Sequence, residues 1–202
     1  MTLREIKQTS PERFTLIFSD GTELKTTLGI ITERFIHSGM ELDEDAFNEL
    51  VCASGLAMSK ARALKIINTR PMSREEMRKR LIEKGETPEN ALECADWLCQ
   101  MGLINDTEYA GSVVRHYAAK GYGASRIRQE LHRHGLPREL WDEALTQMPE
   151  QDAYLERFIR ARLTDPDDRA QIKKISDALF RRGYSWDQIK HALNDFNSQG
   201  DY

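Results

Sequence analysis

Apolar positions recur along this chain at helical spacing, and one arrangement is written three times. Met77, Ile127 and Ile175 are each followed after four residues by a Leu (Leu81, Leu131, Leu179). A basic residue (Lys84, His134, Arg182) and then a Gly (Gly85, Gly135, Gly183) complete each copy. An apolar pair at i and i+4 marks one face of a helix. A Gly just past a basic residue is a helix stop, because Gly takes the left-handed cap conformation at low cost. The three glycines stand 50 and then 48 residues apart. That period predicts a stacked helical array and misses the usual lengths of the common two-helix repeats.

The pattern resolves each copy into helices. In the first, Arg70-Pro71-Met72 marks a boundary, since the residue before Pro avoids the helical region. Ser73-x-x-Glu76 then reads as a capping box, and helix A runs over 73–84. Helix B opens at Thr87-Pro88, a good N-cap and first-turn pair, with Ala91, Leu92, Ala95, Leu98 and Cys99 as its stripe. Helix C opens at Asn105 or Asp106 and carries Tyr109, Val113, Val114 and Tyr117. The second copy has helix A over 125–134, helix B from Pro137 with Trp141, Ala144 and Leu145, and helix C over 151–163. In the third, helix A ends at Arg182 and Ser185-x-x-Gln188 caps helix B. The chain then stops before a third helix C, as an array does at its end, and Asn197–Tyr202 is expected to fray.

The front of the chain follows another period. Thr15-Leu16-Ile17-Phe18 and Thr22–Thr26 flank Asp20-Gly21, a hairpin signal, and Leu3–Lys7 is placed to add a third strand. A hairpin alone is marginal in water, so helices over 30–37, 43–53 and 59–69 are expected to cover it. The expected fold is mainly α: tandem three-helix repeats in an elongated array behind a small N-terminal β-hairpin plus helices. The expected divisions are 1–69, 70–122 (repeat 1), 123–164 (repeat 2) and 165–202 (repeat 3, truncated, with the tail).

Composition narrows the function. Of 202 residues, 29 are Lys or Arg and 33 Asp or Glu. A net charge of −4 argues against a uniformly basic nucleic-acid binder. Three cysteines without a C-x-x-C read as buried free thiols of a reducing compartment. The first residues are charged, unlike a signal peptide. The longest uncharged run, Leu50–Ser59, falls short of the ~18 residues a membrane span needs.

Catalytic constellations are missing. There is no Gly-Lys for a phosphate loop, and no G-x-G-x-x-G, H-E-x-x-H or G-x-S-x-G. His132 and His134, two apart on a helix, point away from each other. The expectation is a binding protein, not an enzyme, with no metal and no cofactor.

One stretch stands out by charge. From Arg115 to Arg138, six basic residues face a single acid, Glu130. A local basic patch on an acidic chain suits a specific anionic partner surface, although it is equally what a solvated helix face looks like. Arg115, Lys120, Arg126, Arg128 and Arg133 are the candidate contacts. Tyr122, between Gly121 and Gly123, could stack on a base, fill a protein pocket or pack between helices. Tyr184 after Gly183 repeats that placement, which favours packing for at least one of them. Arg126 has a competing partner in Glu130, four residues on.

This stretch resembles the RecX family of recombination regulators. Arg70-Pro71-Met72-Ser73-Arg74-Glu75-Glu76-Met77 precedes it, and Met101-Gly102-Leu103-Ile104-Asn105-Asp106-x-x-Tyr109-Ala110 lies between. The resemblance runs from Arg70 to about Phe196. More weakly, it takes in the front segment, which looks like the longer members of Gram-positive type. It implies tandem three-helix repeats and a cytoplasmic, monomeric protein acting in recombination and DNA repair. The implied partner is the RecA recombinase filament on single-stranded DNA, with a weak DNA contact besides. Members are thought to lie in the filament groove and modulate, usually inhibit, ATPase and strand exchange. A different class is a direct DNA binder using residues 125–147 as a helix-turn-helix. Against it stand the net charge and Pro137, Trp141, Asp142 and Glu143 in the second helix.

Overall fold

A computed structural model describes residues 1–199, with side chains through Phe196. The chain divides into two compact units. One holds Met1–Pro71 with Glu76–Ile104, the other Met72–Glu75 with the chain from Asn105 onward.

The first unit begins with an antiparallel meander: β1 (Leu3–Ser10), β2 (Arg13–Phe18) and β3 (Glu23–Thr27). The expected third strand is β1. The β2–β3 turn closes as Asp20-Gly21 predicts. Gly21 takes a φ of 88°, and the Asp20 carboxylate accepts from the Thr22 amide (3.0 Å) and hydroxyl (2.8 Å). These bonds hold its pKa below the usual carboxylate value. One sheet face closes over Leu3, Leu16 and Phe18, against Ile30 of α1 (Leu28–Glu33) and Leu50 of α2 (Glu44–Ile67). Phe18 and Phe47 meet edge to face at 5.1 Å.

Helix α2 corrects an expectation. Separate helices over 43–53 and 59–69 are one 24-residue helix, capped by Asp43, which accepts from the Ala46 amide. An interior Gly costs about 1 kcal/mol but leaves the hydrogen-bond ladder intact. Tertiary contacts outweigh that cost here. Buried Ser54 donates to Thr26 at 2.9 Å, and Leu50, Ser59 and Ala63 are buried along the same helix. The first helix also differs, covering 28–33 in place of 30–37.

Helices α3 (Arg74–Glu83) and α4 (Pro88–Gln100) follow as predicted, with Thr87 accepting from the Asn90 amide. They bury Met77, Leu81, Ala91, Ala95 and Leu98. Of the cysteines expected to be buried, Cys94 is buried, Cys99 half-buried and Cys52 exposed.

The second unit contains α5 (Asp106–Ala119), α6 (Ala124–Arg133), a 3₁₀ turn Arg138–Leu140 with α7 (Trp141–Thr146), α8 (Asp152–Arg160), α9 (Arg169–Arg181) and α10 (Trp186–Gln199). Asn105 caps α5 by accepting from the Glu108 amide at 3.1 Å. Ser185 and Gln188 form the reciprocal box that their spacing predicts. Helix α10 carries the backbone of 197–199, where fraying was expected; the rest of that expected tail, 200–202, lies outside the described residues.

The repeated motif has one geometry in all three copies. Gly85, Gly135 and Gly183 have φ of 89°, 68° and 92°. In each, the residue after Gly donates to the carbonyl of the motif Leu: Glu86 to Leu81, Leu136 to Leu131, Tyr184 to Leu179. The Gly amide bonds to the carbonyl one residue past that Leu. This is a Schellman stop, with the basic residue at the cap near the negative end of the helix dipole.

The cores run across the divisions expected at 122/123 and 164/165. One cluster joins Ala110, Val113 and Val114 of α5 to Ile127 and Leu131 of α6 and Ala144 of α7. Another joins Leu155 and Ile159 of α8 to Ile175 and Leu179 of α9 and Ile189 of α10. The helix expected third in each repeat therefore opens the next three-helix core. Periodicity yields the repeat length but not its starting point, and packing chooses the start.

Candidate interaction surface

The cationic stretch lies on α5, the turn at 120–123 and α6. A further Schellman stop ends α5: the Tyr122 amide donates to the Tyr117 carbonyl at 3.1 Å, with Gly121 at a φ of 75°. Tyr154 covers Gly121 so closely that no β-carbon fits there. Gly123 opens α6, and its amide donates to the Arg182 carbonyl at 2.8 Å.

The candidate cations are largely engaged with their own unit. Arg126 and Arg133, two helical turns apart, both turn to Glu130, whose side chain is 4% exposed. Its carboxylate oxygens lie 3.0 Å from Arg126 Nη2 and 3.4 Å from Arg133 Nε. Arg126 also donates to Gln129 at 2.9 Å. Arg128 lies 3.7 Å from the exposed Asp142 carboxylate, a contact of little energetic weight. Arg115 donates to Gln147. Lys120 places its ammonium 5.4 Å from the centre of the Tyr117 ring. Burial first, and then the Glu130 carboxylate, raise the Tyr117 pKa. Arg115, Lys120, Arg128 and Arg133 are exposed, and Arg126 is half-buried.

Tyr122 is half-buried against the α5–α7 core. Its ring lies 5.9 Å from that of Tyr117 and 5.8 Å from the Arg182 guanidinium. It packs between helices, and Tyr184 is buried outright. The Tyr184 hydroxyl donates to buried Gln151 at 3.1 Å, and burial pushes its pKa upward.

Arg182 is the residue that charge counting overlooked. Its guanidinium stands over Phe158 (5.2 Å), Tyr122 (5.8 Å) and Tyr154 (5.9 Å). These cation–π contacts, with the guanidinium donating to the Lys120 carbonyl at 3.4 Å, fasten the end of α9 to the turn before α6. The only sequence signal was its place as the basic residue of the third motif copy. The histidines diverge as expected. His132 meets Trp141 edge-on, and His134 contacts the Tyr109 hydroxyl at 3.2 Å. Among the described residues no His, Cys, Asp and Glu cluster is arranged to hold a metal, and no helix is long and apolar enough to cross a membrane.

Known proteins share this architecture and sequence. Residues 105–145 match the family model of the RecX second three-helix domain, and 159–193 that of the third. The first matched stretch begins at the N-cap of α5, and the second at Ile159 in the last turn of α8. A regulatory protein RecX from Xanthomonas axonopodis pv. citri (strain 306) is 37% identical over 134 residues, covering 65% of this chain and 83% of its own length. The chain belongs to the RecX family. The regulatory protein RecX of Stenotrophomonas maltophilia (strain R551-3) is 34% identical over 137 residues. Two solved structures show the same fold. A crystal structure of regulatory protein RecX covers 96% of this chain and 98% of its own, at a TM-score of 0.76 and 24% identity. RecX from Lactobacillus salivarius covers 72% of this chain and 98% of its own, at 0.63 and 22%. The RecX relatives are named for regulation and not for a catalysed reaction, and this chain has a RecX regulatory role.

Proposed function

We propose that this RecX protein binds the RecA recombinase filament on single-stranded DNA and inhibits its ATPase and strand exchange, as a cytoplasmic monomer. The supporting observation is the cationic ridge of α5 and α6 on a repeated helical scaffold: Lys120, Arg128 and Arg133 point outward, and buried Glu130 lies 3.0 Å from Arg126 and 3.4 Å from Arg133. Repeated units suit a repeated partner, because linked weak contacts raise avidity without any one being strong. The domain divisions are also proposals: a front segment over 1–69, then helical repeats whose boundaries follow the cores.

The helix-turn-helix alternative is disfavoured. Its second helix would be α7, six residues long, with Asp142 and Glu143 exposed and the Trp141 indole donating to the Leu136 carbonyl at 3.0 Å.

The test is the DNA-dependent ATPase of the cognate recombinase at substoichiometric ratios of this protein. Arg126→Glu would set a second carboxylate beside buried Glu130 and harm the fold, so the informative variant is Lys120→Glu with Arg128→Glu. Inhibition by wild type and at least tenfold weaker inhibition by the folded variant are expected. Undiminished inhibition by that variant would remove the ridge from the account.

A further inference from the structure

Two aromatic rings stand out from the α8–α10 domain. Phe180 is in the last turn of α9, and Trp186 opens α10 across the Gly183 turn. Their centroids are 5.9 Å apart with planes 27° from parallel, and they are 55% and 58% exposed. They are not displaced core residues, because Ile175, Leu179, Tyr184 and Ile189 fill the core beneath the same elements.

Cations surround the pair. Lys173 and Arg169 lie 7 and 11 residues before Phe180, on its face of α9. Lys190 follows Trp186 by one turn, and Arg181 adjoins Phe180. All four are exposed. Among the described residues none of the four has a carboxylate within 4.0 Å, in contrast to Arg126, Arg128 and Arg133. The acids nearby are half-buried Asp177 and exposed Asp187, with Asp165, Asp167 and Asp168 just before Arg169 and Asp195 beyond Lys190. Residues 169–190 carry six basic and two acidic side chains on a chain whose net charge is −4.

We propose that this face binds single-stranded nucleic acid directly. Bases stack on Phe180 and Trp186 while Arg169, Lys173, Arg181 and Lys190 follow the phosphates. Exposed rings beside cations with no carboxylate within 4.0 Å suit a flexible polyanion with free base faces, whereas a duplex keeps its base faces to itself. Arg169 to Phe180 spans roughly 16 Å of helix, enough for a few nucleotides. The inference concerns a different surface from the α5–α6 ridge and does not depend on the recombinase.

The test uses the full chain alone with a fluorescein-labelled dT20 strand, read by anisotropy across a salt series. Binding should weaken steeply with salt and exceed that of a 20-base-pair duplex. Phe180→Ala with Trp186→Ala should weaken it tenfold or more. Phe180→Leu with Trp186→Leu keeps apolar bulk but removes the π faces, and should weaken it likewise. Arg181→Glu with Lys190→Glu should weaken binding and flatten the salt slope. Thermal melting checks that each variant is folded. No dT20 binding at low salt, equal or tighter duplex binding, or full affinity in the folded leucine variant would overturn the proposal. So would aromatic variants that bind dT20 normally but no longer inhibit the recombinase, because the face would then dock protein.

Discussion

Gly183 lies against the backbone of Arg126: a β-carbon on Gly183 would stand 2.3 Å from the Arg126 nitrogen. Beside it, the Ser125 amide donates to the Gly183 carbonyl at 3.1 Å and the Gly123 amide to that of Arg182 at 2.8 Å. The third motif glycine is thus both a helix stop and the point where α9 seats on the start of α6.

Gly85 and Gly183 separate those roles. Their φ values are 89° and 92°, but a β-carbon on Gly85 would meet nothing within 4 Å. Gly85→Ala should cost only the left-handed strain, about 1 kcal/mol. Gly183→Ala adds a backbone clash and should cost at least ~2 kcal/mol more. Urea unfolding measures both; equal losses would mean that the seat on α6 yields freely.

Tyr184→Phe removes the hydroxyl that donates to buried Gln151 and leaves that oxygen without it. A loss of about 1–2 kcal/mol is expected. The same burial gives a pH signature. The folded phenol ionises later than the unfolded one, so its contribution is complete below about pH 10 and fades as pH rises through the folded value. Wild type and Tyr184→Phe should therefore converge in stability under alkali. Parallel pH profiles would contradict this.

Asp106 accepts from the Arg74 amide at 2.9 Å, yet burial raises its pKa. Desolvation disfavours its charge, so stability falls as pH rises from the unfolded toward the folded value. Asp106→Asn keeps an acceptor without charge. It should equal or exceed wild type in melting temperature at pH 7, the gap closing below about pH 4. Asp106→Ala should lose ~1 kcal/mol. A markedly less stable Asn variant at neutral pH would show that the charge is required.

The three thiols should label in the order of their exposure. Cys94 is buried and its pKa is pushed up to about 11 by burial, whereas Cys52 is exposed. Iodoacetamide at pH 8 followed by peptide mass spectrometry should modify Cys52 first and spare Cys94 until the protein unfolds. Early labelling of Cys94 would mean that α4 opens readily.

Local chemistry made much of this protein legible in advance. The Leu-x₂-basic-Gly spacing fixes a Schellman stop within six residues, Asp20-Gly21 fixes a turn, and Asn105, Thr87 and Ser185 fix helix starts. All are short-range bonds that the chain forms with its own neighbours. The engaged state of the cationic stretch was only partly legible. Glu130 was visible as a neighbour of Arg126 and stands three residues before Arg133 on the same helix, but its burial depends on how α6 meets α5.

Sequence alone determined the helices, their stops and the repeat length, because these rest on contacts a few residues apart. Tertiary structure decided that α2 runs unbroken past Gly55, that α5 and α8 open cores in place of closing them, and that Arg182 lies among three rings. It also decided which cations remain without carboxylates, around Phe180 and Trp186. Those outcomes depend on packing between residues distant in the chain, where burial and desolvation outweigh propensity and charge count.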